Sequence, residues 1–173
     1  MRSDYRIRAS RFLNEIAPML VECFDNECSY NTEVNVSRAI NWYNHHMHRA
    51  IKVYHGATRI ALVTSDYVIK FDYNPHNVAD FGGCEDEVKM YRYAKQHGYG
   101  RLFAPITRVT VENHNFYIMP RVRYIGSMQN LIGWTDEEID WVYDYVFDIH
   151  EYNFGKIDGH AVLIDYAANT LGH

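Results

Sequence analysis

Only 4 prolines and 3 cysteines occur in 173 residues, with no long apolar run and no excess of positive charge. The cysteines, Cys23, Cys28 and Cys84, are odd in number and form no repeated CxxC pair, so they read as reduced thiols of a cytoplasmic protein. A local Cys23–Cys28 disulfide lacks the secretory signal that would favour it. The N-terminus is charged from Arg2 to Arg8 where a signal peptide would be apolar, so no leader is expected. No stretch of about 18 apolar residues is present, so no membrane span is expected. The formal net charge of −5 argues against a nucleic-acid partner, because such binders carry basic faces. What remains is ordinary globular composition, 47% hydrophobic and 23% charged, with 15 tyrosines. That length suffices for one domain with a real core or a small two-lobed unit.

Along the chain the hydrophobic period changes twice. Ile7, Phe12, Leu13, Ile16, Met19 and Leu20 recur at helical spacing and predict an amphipathic helix over 5–23. A second helix is expected over 34–48, burying Val36, Ile40, Trp42 and Tyr43. Short β-rich runs between Ile51 and Phe71, separated by His55-Gly56-Ala57 and Thr64-Ser65-Asp66, predict a three-stranded meander. Gly82-Gly83 introduces a helix over 84–97, stopped by Gly98 and Gly100. Strands near 105–112 and 115–120 follow, then a connector over 121–134. Thr135 with Glu138 forms a capping box that opens a helix expected over 136–151. A hairpin, 154–157 and 161–165, turns at Asp158-Gly159.

The chemistry concentrates in that last third. Asp148 is followed five residues later by Asn153 and twelve beyond that by Asp165, with a tight turn and the apolar run Val162-Leu163-Ile164 in between. One carboxylate that orients an acceptor hydroxyl, plus an amide oxygen and a second carboxylate that hold magnesium, is the kit a nucleotide phosphotransferase needs. Asp148 is expected at the C-terminal end of its helix, where the macrodipole disfavours a carboxylate. A lone acid there would ordinarily be a solvated surface residue, and a lone lysine in a strand likewise. The joint spacing argues otherwise. His45, His46, His48 and His55 lack a cysteine or acid at a recognised zinc spacing and read as polar helix surface.

These residues resemble the core of the protein-kinase-like fold, closest to small bacteriophage-type serine/threonine kinases and, in Asp148-Ile149-His150-Glu151-Tyr152-Asn153, to the D-x-H-x-x-N pattern of aminoglycoside phosphotransferases. The resemblance covers roughly residues 50–168. It implies an α+β fold: a minimal two-lobed kinase with a helical extension (1–49), a small lobe (50–120) and an abbreviated large lobe (121–173). It implies ATP and Mg as cofactors. Asp148 would be the catalytic base, and Asn153 and Asp165 the metal ligands. Val68-Ile69-Lys70 resembles the VAIK element, whose lysine holds the α- and β-phosphates and pairs with a glutamate of the next helix, here Glu87. Gly56 would belong to the phosphate-covering loop. Met119 and Arg121 would belong to the hinge that meets adenine.

The departures are as informative. Gly56 stands alone where several glycines are usual, Tyr166-Ala167 replaces Phe-Gly after the metal-binding acid, and Val146 replaces the histidine of HRD. Eight residues follow Asp165, so the resemblance implies a truncated large lobe. The activity implied is a phage-type serine/threonine kinase acting on host or phage proteins. The alternatives are a pseudokinase that inhibits a host protein by contact and a small-molecule phosphotransferase.

Overall fold

The structure, a computed structural model, describes residues 4–24, 29–73, 82–125 and 133–171. It is α+β, with four α-helices and two antiparallel sheets among those residues. The chain divides into two units: Met1–Val78 with Thr107–Arg121, and Ala79–Ile106 with Val122–His173.

In the first unit, α1 (Asp4–Phe24) and α2 (Ser29–Met47) precede β1 (Lys52–His55), β2 (Arg59–Val63) and β3 (Tyr67–Asp72). β4 (Thr107–Val111) and β5 (His114–Pro120) complete one sheet in the order β1-β2-β3-β5-β4. Antiparallel register puts alternate residues of each strand on one face. Ile60, Leu62, Ile69, Phe71, Phe116 and Ile118 therefore form a common apolar face, and it is buried with Phe12, Leu13, Ile16 and Leu20 of α1. The two N-terminal helices are thus part of this unit's core, not an extension set apart at residue 49. The expected burial of Trp42 fails: it is 58% exposed and stacks on His46, with centroids 4.3 Å apart. Ile7 is also exposed, because it falls off the stripe that faces the sheet.

In the second unit, α3 (Cys84–Gln96) and a 3-10 turn (Gly100–Leu102) are followed by β6 (Arg123–Tyr124), α4 (Asp136–Tyr145), a second 3-10 turn (Glu151–Asn153), β7 (Phe154–Ile157) and β8 (His160–Leu163). The last three strands form a sheet ordered β6-β7-β8. β6 lies inside the expected connector; two exposed residues, Arg and Tyr, leave no periodic signal. Asp158 and Gly159, with φ of 48° and 93°, make the tight turn between β7 and β8. Gly155 is required for packing: a Cβ there would lie 2.2 Å from Val122 Cγ2 and 3.2 Å from Ile164 Cγ2.

Cys23 and Cys84 are buried and outside any disulfide among the described residues, while Cys28 lies outside those residues. Among the described residues no helix is long and apolar enough to cross a membrane.

Candidate functional site

The helix that leads to the acids begins as expected. Thr135 Oγ1 accepts from the Glu138 N–H at 3.3 Å, and Glu138 Oε2 accepts from the Thr135 N–H at 2.8 Å. It ends six residues earlier than expected, at Tyr145. The physical reason is competition from the C-terminal segment. Thr170 N–H donates to Tyr145 O at 3.0 Å, Phe147 N–H donates to Ala168 O at 2.9 Å, and Val146 bridges to Asn169. Asp148 therefore lies in a loop, and the macrodipole argument does not apply to it. Its side chain is 69% exposed, with His150 Nε2 at 3.7 Å from Oδ2. His150 Nδ1 accepts from the Tyr152 N–H at 3.3 Å, so the neutral ring carries its proton on Nε2, the nitrogen nearer Asp148.

Asn153 is buried and fixes this loop. Its Nδ2 donates to Asp148 O at 2.7 Å, and its N–H donates to His150 O at 3.0 Å. That assignment leaves Oδ1 as the acceptor available to a cation. Its backbone carbonyl accepts from the Ile164 N–H at 2.8 Å, which continues the register Phe154↔Leu163 one step beyond β7 and β8. The segment that ends in Asp165 is thereby tied to the loop that carries Asp148. Asp165 itself follows β8 by two residues instead of closing the strand.

The residues after Asp165 are held from several sides. Tyr166 is buried, donates from its hydroxyl to Ala104 O at 2.7 Å and meets the Phe103 ring edge-on at 4.9 Å. Its backbone N–H donates to Glu87 Oε1 at 3.2 Å. Asn169, 0% exposed, donates from Nδ2 to Tyr166 O, Ala167 O and Asp86 O at 2.8, 3.0 and 3.2 Å. Gly82, with φ of 76°, passes so close to Ala167 that a Cβ would lie 2.5 Å from its carbonyl oxygen. Neither Asn169 nor Gly82 had a sequence signal as a clamp. An asparagine near a chain end reads as loop, and Gly82 reads as a helix start.

The acids of α3 separate by role. Asp86 accepts from the Gly83 N–H at 2.9 Å and pairs with Lys89 at 2.8 Å, so it serves the helix's own N-terminus. Glu87 is 0% exposed and faces Tyr166. A carboxylate is almost never fully buried unless it is paired.

In the first unit, Lys70 and Met119 share the sheet face turned away from α1. Lys70 pairs with Ala61 on β2 and Tyr117 on β5, while Val68 pairs with Met119. Lys70 is only 8% exposed, and Tyr117 and Met119 are buried as well. This face is therefore not a solvated one, which is where a strand lysine would ordinarily sit. Gly56 lies in the β1–β2 turn, where its N–H donates to Arg59 O at 2.8 Å and its carbonyl accepts from the Tyr73 hydroxyl at 2.9 Å. Arg121 anchors the β2–β3 turn: its N–H donates to Asp66 O at 2.8 Å and Nη1 donates to Thr64 O at 2.7 Å.

Asn153 and Asp165 offer hard oxygen ligands of the kind magnesium takes, one amide and one carboxylate, with phosphate and water completing the shell. Among the described residues no group of three or more His, Cys, Asp or Glu side chains could hold a metal by itself.

No family model matches the chain, and no curated protein does. Among solved structures it is similar to a kinase of Legionella pneumophila bound to IP6 (TM-score 0.40, 13% identity, 69% of this chain and 60% of that one). It is also similar to WbdD co-crystallised with the kinase inhibitor LY294002 (TM-score 0.39, 14% identity, 70% of this chain and 33% of that one). The chain thus spans 60% and 33% of the length of these two structures.

Proposed function

We propose that this chain is an ATP- and Mg-dependent phosphotransferase of the protein-kinase-like fold that acts on serine or threonine hydroxyls of proteins. The observation that carries this reading is the tie at Asn153. One side chain and its backbone connect Asp148 O to Ile164 N–H, so the base-type loop and the metal-type acid are built on one scaffold. In this reading Asp148, solvent-facing and beside the Nε2–H of His150, accepts the proton of the acceptor hydroxyl. Asn153 Oδ1 and the Asp165 carboxylate would hold Mg, which supplies charge neutralisation at the phosphates. Lys70 would hold the α- and β-phosphates as a point charge. Glu87, Asn169 and Gly82 act through position: they fix the Tyr166-Ala167 backbone immediately after Asp165.

Transfer of labelled γ-phosphate from ATP to the chain itself or to a generic protein acceptor tests the reading. Asp148→Asn and Asp165→Asn should each lower transfer by about 10²-fold or more. Saturating Mg-ATP, at about 100 times its Kd, should stabilise the wild type by about 2.7 kcal/mol, and Asp165→Asn should lose that gain. Absence of both transfer and stabilisation refutes the proposal.

One observation favours a second reading, a kinase-fold protein that inhibits a host protein by contact. Gly56 is the lone glycine of its turn, and its backbone N–H is already bonded to Arg59 O, so it offers no free amide to a phosphate. A protein of that kind would keep its effect on the partner when Asp148 is replaced.

A further inference from the structure

The first unit contains a cavity of about 470 Å³ that the phosphotransfer chemistry does not use. One wall is a single stripe of α1, with Arg8, Arg11, Phe12 and Glu15 at helical spacings of three and four. The rest comes from the α2–β1 turn, with Arg49, and the β2–β3 turn, with Asp66 and Tyr67. Both turns are rigidly built. Asn44 brackets the first by donating from Nδ2 to Ile51 O at 2.8 Å and accepting the Ile51 N–H on Oδ1 at 3.0 Å. Thr64 Oγ1 closes the second by donating to Tyr67 O at 2.9 Å and accepting the Tyr67 N–H at 3.1 Å.

The charges in this cavity are unevenly committed. Arg8 pairs with Asp4 and, at 3.1 Å, with Asp66. Glu15 accepts from the Tyr43 hydroxyl at 2.7 Å. Arg49 lies beside that same hydroxyl and faces no carboxylate in an ion pair among the described residues. The Arg11 guanidinium makes no ion pair or hydrogen bond with any described residue. The Tyr67 hydroxyl likewise has no hydrogen-bond partner among them, and it stands where the charges of Arg49, Asp66, Arg8 and Glu15 all reach it. Three guanidiniums thus meet two carboxylates around an open phenol, in a chain whose formal net charge is −5.

We infer that this cavity binds a small phosphorylated polyol, a phosphomonoester that also carries neighbouring hydroxyl groups. Each part of such a ligand has a counterpart. Planar guanidinium forks, Arg11 and Arg49, match phosphate oxygens with paired donors. Glu15 and Asp66 accept from hydroxyls, whereas they would repel a ligand that was anionic throughout. The rings of Phe12 and Tyr67 supply apolar surface for C–H groups of a sugar. A volume of this size lies within the range of small-ligand sites. A nucleic-acid backbone would meet the two carboxylates unfavourably, and an apolar ligand would bury guanidiniums without partners.

Calorimetric titration of the full chain with glucose 6-phosphate, inorganic phosphate and glucose tests the inference. Glucose 6-phosphate should bind saturably and at least about tenfold more tightly than either of the other two. Arg11→Ala, an exposed position that should not disturb folding, should weaken it by about tenfold or more through loss of a charge-assisted pair. Tyr67→Phe keeps the packed ring and should weaken binding through the hydroxyl alone. Three results would overturn the assignment: no binding up to about 10 mM, inorganic phosphate binding as tightly as the sugar phosphate, or Arg11→Ala binding like the wild type.

Discussion

Asn169→Ala should be among the most damaging single substitutions in the second unit, although Asn169 bears no chemistry. Its side chain is 0% exposed, and Nδ2 serves the carbonyls of Tyr166, Ala167 and Asp86 while Oδ1 accepts from the Leu171 N–H at 2.9 Å. An amide nitrogen has two hydrogens, so the three carbonyls share two bonds, each worth about 1 kcal/mol net. Alanine removes these bonds and also leaves buried carbonyls without a donor, at about 1–3 kcal/mol for the group. The expected loss is about 3–5 kcal/mol, a large part of the roughly 5–15 kcal/mol that holds a domain folded. Urea unfolding followed by tryptophan fluorescence reads it. The emission of exposed Trp42 can be removed with Trp42→Phe, which leaves Trp134 and Trp141, both in the second unit, as reporters. With a urea slope of about 1.5–2 kcal/mol/M, the midpoint should fall by about 2 M. Asn169→Asp should be at least as harmful, because it turns a carboxylate toward carbonyl oxygens. A loss below about 1 kcal/mol for Asn169→Ala would refute the clamp and, with it, the account of how Asp165 is positioned.

Gly155→Ala should cost about 1–3 kcal/mol, since its Cβ would lie 2.2 Å from Val122 Cγ2, and adding Val122→Ala should restore part of that loss; simple additivity in a thermal or urea cycle would contradict the contact. Tyr43 and Tyr73 are each pushed up to about 12, first by burial and then by hydrogen bonds to Glu15 and Glu33. Their unfolded values lie near 10, so the stability they lend is complete below about pH 10 and is lost as pH rises from there toward 12. Tyr43→Phe should flatten that alkaline decline in chemical-denaturation curves. Asp148→Asn should lower phosphate transfer by about 10²–10⁴-fold with an unchanged melting temperature, since its side chain is 69% exposed and the contact to Asn153 uses its backbone oxygen.

Much of the fold was legible because local rules and burial agree. The stripe of α1, the meander over β1–β3, the capping box at Thr135 and Glu138 and the turn at Asp158-Gly159 all depend on residues close in sequence. What escaped the sequence depends on distant ones. The periodicity of 136–151 is helical, yet the chain leaves the helix at Tyr145 because residues 168–170 offer its backbone other partners. Trp42 is a local misreading instead: two residues after Ile40 and one before Tyr43, it falls off the stripe that Val36, Ile40 and Tyr43 bury. At the candidate site, the residue types and spacings of Asp148, Asn153 and Asp165 could be read directly. The supports could not, because Asn169, Gly82 and Tyr166 acquire their roles only when the C-terminal segment packs against α3 and Phe103.

The buried polar groups fall into those that the fold itself accounts for and those that it leaves partly unexplained. Asp86 is accounted for by the helix end it caps, and Asn169 by the carbonyls it gathers. Asn153 is half accounted for: its amide nitrogen holds Asp148 O, while its side-chain oxygen accepts no hydrogen bond among the described residues. Glu87 and Lys70 differ from these. Glu87 accepts from the Tyr166 N–H, and Lys70 lies between Ala61 and Tyr117 in its sheet, yet each is a charge taken out of water. Burying an ammonium or a carboxylate weakens a fold unless it is compensated, and hydrophobic replacements of buried charges are often neutral or stabilising. In the proposed phosphotransfer Glu87 would be kept for the backbone that follows Asp165, and Lys70 for the phosphates.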